Sequence, residues 1–135
     1  MQYHPNELFL LYNPNSSDGK KTKAMALDIC SHINEVDSLN EKLGPTYWKE
    51  VITKLGVEPQ DLLDQSHPDY KTKVGTQTYT MTGWLDVIMH NPQLIKNPIA
   101  IFNGKAVVCH QPADILKLGT PKSASKVLPH LKRDD

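Results

Sequence analysis

The stretch IAIFNGKAVVC, residues 99–109, decides the fold of this chain. Two runs of β-forming residues, 99–102 and 106–109, flank the dipeptide Asn103-Gly104. Asn-Gly between two such runs is the strongest short hairpin signal, because the favoured two-residue turn needs positive φ at both central residues. The sequence therefore predicts two antiparallel strands here.

Upstream of this hairpin, the N-terminal part of the chain has a strand–helix–strand pattern. Residues 7–12 are predicted to form a buried strand, because the apolar run at 8–12 is continuous, and the turn-rich segment 13–19 follows it. Apolar residues at helical spacing then predict a helix, with Ser17 or Asp18 as its N-cap. A short strand is predicted over residues 34–38. Because a strand–helix–strand crossover joins parallel strands, this first pair is expected to be parallel.

Between the two units the sequence predicts a helical insertion. Its predicted elements are a helix that begins at Pro45 and ends at Gly56, a turn and short helix over 57–63, and a helix that is capped by Thr82 and ends at 90–92. Residues 64–80 are polar and show no clear pattern. A last helix is predicted from Pro112 to 118, before a polar tail over 120–135.

This order of elements predicts an α/β protein with a thioredoxin-like arrangement. We expect a mixed four-stranded sheet that is flanked by helices and carries a helical insertion. A length of 135 residues suits one domain, so we expect a single thioredoxin-like domain over 1–135 with a core of about 7–118.

The composition excludes several classes of function. Lys+Arg and Asp+Glu both number 15, and this balance argues against direct binding of nucleic acid or of an anionic membrane. No apolar run approaches the roughly 20 residues of a membrane span, and the run at 8–12 does not have the flanks of a signal peptide. We therefore expect a cytoplasmic protein. Cys30 and Cys109 form neither a CxxC motif nor a pair at zinc spacing, which predicts two buried thiols and no metal site.

Four sequence features together resemble the glutaredoxin-linked arsenate reductase family, which also includes the Spx-type transcription regulators. They occur in the family's order and cover residues 7–118. The features are YNP at 12–14 before a polar loop and a helix, LGV at 55–57 followed by LL at 62–63, IMHNPQLI at 88–95 before NPI at 97–99, and HQPADIL at 110–116.

The resemblance implies a particular site chemistry. Catalytic members have a cysteine at the N-terminus of the first helix, where the helix dipole and the backbone N–H groups lower the thiol pKa. Three arginines neutralise the oxyanion substrate. The matching positions here are Ser16 for the cysteine and Asp64, Asn97 and His110 for the arginines. The resemblance also implies a cis peptide bond before Pro98, beside the ligand groove.

These departures predict a non-catalytic, degenerate member of the family. A serine hydroxyl has no appreciable oxyanion fraction at neutral pH and no redox chemistry, and Asp64 would repel an oxyanion. We expect the protein to bind a partner protein or a small anion or thiol ligand, without a resident cofactor, although the resemblance allows glutathione. The expected groove is formed by Asn15, Ser16, Ser17, Asp64, Asn97, Pro98 and His110.

Alternative functions stay open at this point. One is a thiol-dependent oxidoreductase with residual activity, in which Cys109 would be a displaced nucleophile. Another is an Spx-like regulator that contacts the transcription machinery through its helical insertion, although its CxxC motif is absent from 16–19. Ser16 could act as a nucleophile with His110 as base; the simpler interpretation is that Ser16 and Ser17 satisfy backbone groups at the helix start.

Overall fold

The computed structural model describes residues 7–119. It contains four strands, β1 (Leu8–Tyr12), β2 (Ile33–Asp37), β3 (Ile99–Phe102) and β4 (Lys105–Val108). Its α-helices are α1 (Ser17–Ile29), α2 (Pro45–Leu55), α3 (Pro68–Lys73) and α4 (Met81–His90). Three 3₁₀ segments, Pro59–Leu62, Pro92–Leu94 and Pro112–Leu118, complete the architecture. The tail predicted at 120–135 lies outside the described residues.

The strands form one mixed sheet in the order β2-β1-β3-β4. β1 pairs with β2 in parallel, and β1 with β3 and β3 with β4 pair antiparallel. In the hairpin turn Asn103 has φ 53° and Gly104 has φ 77°, the positive values that an Asn-Gly turn was expected to supply. The predicted mixed four-stranded sheet flanked by helices is therefore confirmed.

Both faces of the sheet are covered, which explains the continuous apolar run of β1. All five residues of β1 are buried. Phe9 and Leu11 pack towards α2 and α4, whereas Leu8, Leu10 and Tyr12 pack towards α1 and the last 3₁₀ segment. A strand with two buried faces needs apolar residues at every position, and each fully buried large side chain contributes about 1.5–3 kcal/mol.

Two predicted helix starts were wrong by one or two residues. The N-cap of α1 is Ser16, whose hydroxyl accepts a hydrogen bond from Gly19 N at 3.1 Å. The N-cap of α4 is Thr80, whose hydroxyl accepts from Gly83 N at 3.2 Å. In both helices the capping residue lies three residues before the amide that its hydroxyl satisfies. Ser17 and Thr82, which were predicted as caps, are therefore already helical.

The helical insertion was predicted in part. α2 begins at Pro45 and ends before Gly56, which has φ 67°, as expected for a left-handed helix cap. Helix α3 was not predicted, because none of its six residues is buried and it therefore has no apolar stripe. The last helix was predicted with the correct bounds, Pro112–Leu118, and it is a 3₁₀ helix. Within residues 7–119 no helix is both long and apolar enough to span a membrane.

Candidate functional site

The candidate site lies at one edge of the sheet, where three strands end or begin. Leu11 pairs with Ile99, and Ile99 pairs with Val108, so these residues form one row across β1, β3 and β4. Cys109 N donates to Pro98 O at 2.8 Å and extends the ladder by one row. The segments that follow β1 and β4 and the segment that precedes β3 therefore emerge at the same edge.

A cavity of about 390 Å³ opens beside this edge. It is lined by Asp64, Gln93, Ile95, Lys96, Asn97, Val108, Cys109 and His110. Three residues of the predicted groove, Asp64, Asn97 and His110, are thus brought together, although they are far apart in the sequence. The other four do not line this cavity: Asn15, Ser16 and Ser17 lie at or just before the start of α1, and Pro98 is buried.

Asp64 reaches the cavity through a short pairing between two loops. Asp64 N donates to Leu94 O at 2.7 Å, and Lys96 N donates to Leu62 O at 2.7 Å. Between them Leu63 and Ile95 form an isolated antiparallel bridge. This pairing fixes the segment before β3 against the segment after the first 3₁₀ helix, and it places the Asp64 and Lys96 side chains at one cavity.

The charges in the cavity are balanced. The Ser66 hydroxyl and backbone N–H both donate to Asp64 Oδ1, and these bonds hold the pKa of Asp64 below its ordinary value, with a smaller contribution from Lys96. Asp64 is therefore a carboxylate at neutral pH. Lys96 supplies the opposite charge, so the lining carries one anion and one cation.

Next to the cavity, the peptide bond between Asn97 and Pro98 is cis. This confirms the conformation that the resemblance implied for the proline before the third strand. The Asn97 side chain donates from Nδ2 to Ile95 O at 3.1 Å, which holds its amide along the cavity wall. His110 is exposed, and its backbone N–H donates to Asp114 Oδ2 at 2.9 Å.

Ser16 acts as a helix cap. Besides the bond from Gly19 N to its hydroxyl, its own N–H donates to Asn13 O at 3.0 Å. A Cβ atom at Gly19 would lie 2.4 Å from Asn13 O, so the first turn of α1 packs directly on the loop that follows β1. The interpretation of Ser16 as a group that satisfies the helix backbone is therefore confirmed, whereas Ser17 is the first helical residue and is exposed.

Both thiols are buried, as predicted. Cys109 is 4% exposed although it lines the cavity, and Cys30 is 7% exposed. Burial, together with the negative charge of Asp114, raises the pKa of Cys109 to about 12. The Cys109 thiol is therefore fully protonated at neutral pH, which makes it a poor nucleophile.

In the described part of the chain, no group of three or more His, Cys, Asp or Glu side chains is arranged to hold a metal ion. The polar groups of the cavity are instead two charged side chains, Asp64 and Lys96, two amides, Gln93 and Asn97, and one imidazole. Gln93 and Lys96 were missed by the sequence analysis.

The strand order, the parallel β1–α1–β2 unit and the cis proline before β3 define a thioredoxin-like α/β protein. A comparison with protein families matches residues 11–118 to the ArsC family. Because this match covers most of the chain, the chain belongs to the ArsC family.

Solved structures agree with this assignment. A candidate arsenate reductase from Yersinia pestis is 25% identical, with a TM-score of 0.74 over 82% of this chain and 98% of that one. An arsenate reductase from Vibrio cholerae is 20% identical, with a TM-score of 0.73 over 85% and 99%. An ArsC-related protein from Brucella melitensis is 16% identical, with a TM-score of 0.59 over 86% and 97%. No curated protein matches the chain. The resemblance inferred from the sequence motifs is confirmed at the level of the family.

Proposed function

We propose that this protein is a non-catalytic member of the ArsC family that binds a small ligand at the cavity lined by Asp64, Asn97 and His110. The observation that carries the proposal is the state of Ser16. By the family resemblance it occupies the position of the reactive thiolate, and its hydroxyl accepts the hydrogen bond that caps α1. A capped serine supplies neither a thiolate nor redox chemistry.

The buried thiols support the same proposal. Displaced thiol chemistry would require Cys109 to ionise near neutral pH, and its pKa is raised to about 12. The cavity also offers arsenate no net positive charge. Two unit charges 4 Å apart interact by about 1 kcal/mol in water and about 4 kcal/mol near a protein surface, so repulsion by the Asp64 carboxylate offsets the attraction of Lys96 for an oxyanion.

The cavity suits a small zwitterionic ligand. Its volume of about 390 Å³ falls within the range of about 300–1,000 Å³ that is usual for small-molecule sites. Asp64 can pair with an ammonium group, and Lys96 can pair with a carboxylate. Glutathione, the thiol ligand that the resemblance allows, carries both groups. The proposal includes no resident cofactor, no direct contact with nucleic acid or membrane, and a cytoplasmic location.

Ligand binding is tested first by thermal unfolding with glutathione, arsenate, phosphate and sulfate. A ligand at 100 times its Kd stabilises the folded protein by about 2.7 kcal/mol, which raises the Tm by several degrees. We expect glutathione to raise the Tm and the three oxyanions to leave it unchanged. The D64N and N97A variants should lose the shift, whereas the control K49A, on the exposed side of α2, should keep it.

The enzymatic alternative is tested by arsenate reduction in the presence of glutathione. We expect no turnover by the wild-type protein. Arsenate-dependent turnover that disappears in the S16A variant would overturn the proposal in favour of a residual oxidoreductase. The absence of a shift with all four ligands would also overturn it and would favour a protein partner, as for an Spx-like regulator.

A further inference from the structure

β4 lies at an edge of the sheet, and its last residue borders the cavity at Asp64. Among residues 7–119 the strand order β2-β1-β3-β4 pairs β4 with β3 on one side and with no strand on the other. Val108, the last residue of β4, lines the cavity together with Cys109 and His110. An edge strand presents backbone N–H and C=O groups that can pair with an added strand. The cavity therefore adjoins a surface that can bind an extended chain.

The register of the hairpin shows which backbone groups of β4 point outwards. Cys109 N donates to Pro98 O at 2.8 Å, so these two residues form a hydrogen-bonded pair of the ladder. In an antiparallel ladder such pairs alternate with pairs whose N–H and C=O groups point away from each other. Ile99 and Val108 form the next pair, so the N–H and C=O of Val108 point away from β3. Val108 can therefore exchange two hydrogen bonds with one residue of an extended peptide.

The side chains of the cavity suit the charged end of such a peptide. Asp64 is a half-buried carboxylate whose Oδ1 accepts two hydrogen bonds from Ser66, a residue outside the lining. Gln93 donates from Nε2 to Asp69 Oδ2 at 3.3 Å, so its carbonyl oxygen points away from Asp69. A carboxylate and an amide oxygen in one lining favour a donor with positive charge, which in a peptide is the terminal ammonium group. Lys96 in the same lining suits the carboxylate of a peptide.

We propose that the cavity binds a short extended peptide with a free amino terminus, which pairs with Val108 as an added strand and places its ammonium group at Asp64. This inference rests on the proposed function, because it names the class of ligand for the same cavity. A volume of about 390 Å³ is near the lower end of the range for small-molecule sites, about 300–1,000 Å³, so it limits the peptide to a few residues. Glutathione, with one ammonium group and two amide N–H groups, belongs to this class.

The test compares three tripeptides on the full-length protein by backbone amide chemical shifts. Trialanine has both terminal charges, N-acetyl-trialanine lacks the ammonium group, and trialanine methylated at both peptide nitrogens lacks the N–H donors of a strand. We expect saturable binding of trialanine, with shift changes at 63–66 and 106–110. The acetylated peptide should bind about tenfold more weakly or worse, and the methylated peptide about fivefold more weakly, because hydrogen bonds to charged groups are the stronger class.

The D64N variant tests the position of the ammonium group. Asparagine keeps an oxygen for the bonds from Ser66 and removes the charge. D64N should therefore bind trialanine as weakly as the acetylated peptide, and its affinity for the acetylated peptide should stay within about twofold of the wild type. The D86N control changes an exposed carboxylate of α4 outside the lining, and it should bind all three peptides like the wild type.

Equal affinity of the wild-type protein for trialanine and either modified peptide overturns the inference, as does a D64N variant that keeps the preference for trialanine. If trialanine does not bind while glutathione raises the Tm, the inference is wrong and the proposed function stands. If neither binds, both are wrong. Since the three peptides are compared on the wild-type protein, the decision does not depend on the folding of D64N.

Discussion

The role of Ser16 as a helix cap gives the sharpest test of the site. Replacing Ser16 with alanine removes the acceptor of the 3.1 Å hydrogen bond from Gly19 N and leaves one amide of the first turn without its partner. We expect S16A to destabilise the folded protein and to leave ligand binding at the cavity unchanged. The second expectation follows because Ser16 does not line that cavity.

The size of the effect follows from the geometry of the cap. Loss of a serine N-cap costs about 0.5–2 kcal/mol, typically about 1 kcal/mol. Gly19 is buried against the loop after β1, so water cannot freely replace the missing acceptor, and we expect a value of about 1–2 kcal/mol. For a chain of 135 residues that loss lowers the Tm by about 3–7 °C.

Urea unfolding monitored by circular dichroism gives the free energy of unfolding for S16A and its controls. The S17A control should stay within about 0.5 kcal/mol of the wild type, because Ser17 is exposed and follows the cap. The S16D control keeps an acceptor at the cap and adds a charge that suits the helix N-terminus, so it should also remain close to the wild type. A loss below about 0.3 kcal/mol in S16A, or an equal loss in S16D, would refute the capping role.

Three further predictions concern neighbouring groups. An S16C variant should react with a disulfide reagent much faster than Cys109, since a thiol at a helix N-terminus has a lowered pKa and the pKa of Cys109 is about 12; equal rates would contradict this. A G19A variant should lose about 1–3 kcal/mol of stability in urea unfolding, since the new Cβ would meet Asn13 O at 2.4 Å; wild-type stability would contradict it. The pKa of Glu35 is held below its ordinary value of 4.5, mainly because the Tyr12 hydroxyl donates a hydrogen bond to its carboxylate. The ionised Glu35 therefore stabilises the folded protein above pH 4.5, and this stabilisation is lost as the pH falls through the folded-state pKa. An E35Q variant should show a flatter decline of the unfolding midpoint on acidification than the wild type, and parallel curves would exclude this role.

The sheet could be predicted because its decisive signals are local. Asn103-Gly104 requires positive φ at two adjacent residues, and that requirement alone fixes the hairpin between β3 and β4. The unbroken apolar run of β1 likewise indicates, from local sequence alone, a strand that is buried on both faces. Pro45 and Gly56 mark both ends of α2 through their backbone preferences.

Elements that depend on tertiary contacts were harder to predict. The residues of α3 are half-buried or exposed. The sequence of this helix therefore has no apolar stripe that would have located it within 64–80. The start of α4 was placed two residues late, because Thr82 and Thr80 are equally good caps by residue type. Only the backbone geometry shows that Thr80 accepts the bond from Gly83 N.

Identifying the residues of the site required both the sequence motifs and the tertiary contacts. Asp64, Asn97 and His110 were found because they stand next to family motifs. Gln93 lies inside the motif at 88–95 and Lys96 directly follows it, but the resemblance implied a role for neither. They are placed at the cavity by the pairing of Lys96 N with Leu62 O and the bridge beside it. Neither contact can be read from sequence spacing.

At this edge of the sheet, the features that stabilise the fold are backbone features, whereas the groups available for chemistry are side chains. The cis Asn97–Pro98 peptide, the close contact at Gly19 and the Leu63–Ile95 bridge are backbone features that position the edge. The side chains of Asp64 and His110 are half-buried and exposed, so their identity contributes little to the stability of the fold. In this chain the backbone features of the site therefore stabilise the fold, whereas its charges can change at little cost in stability. The balanced charges of Asp64 and Lys96 are the feature that an assay of this protein has to address.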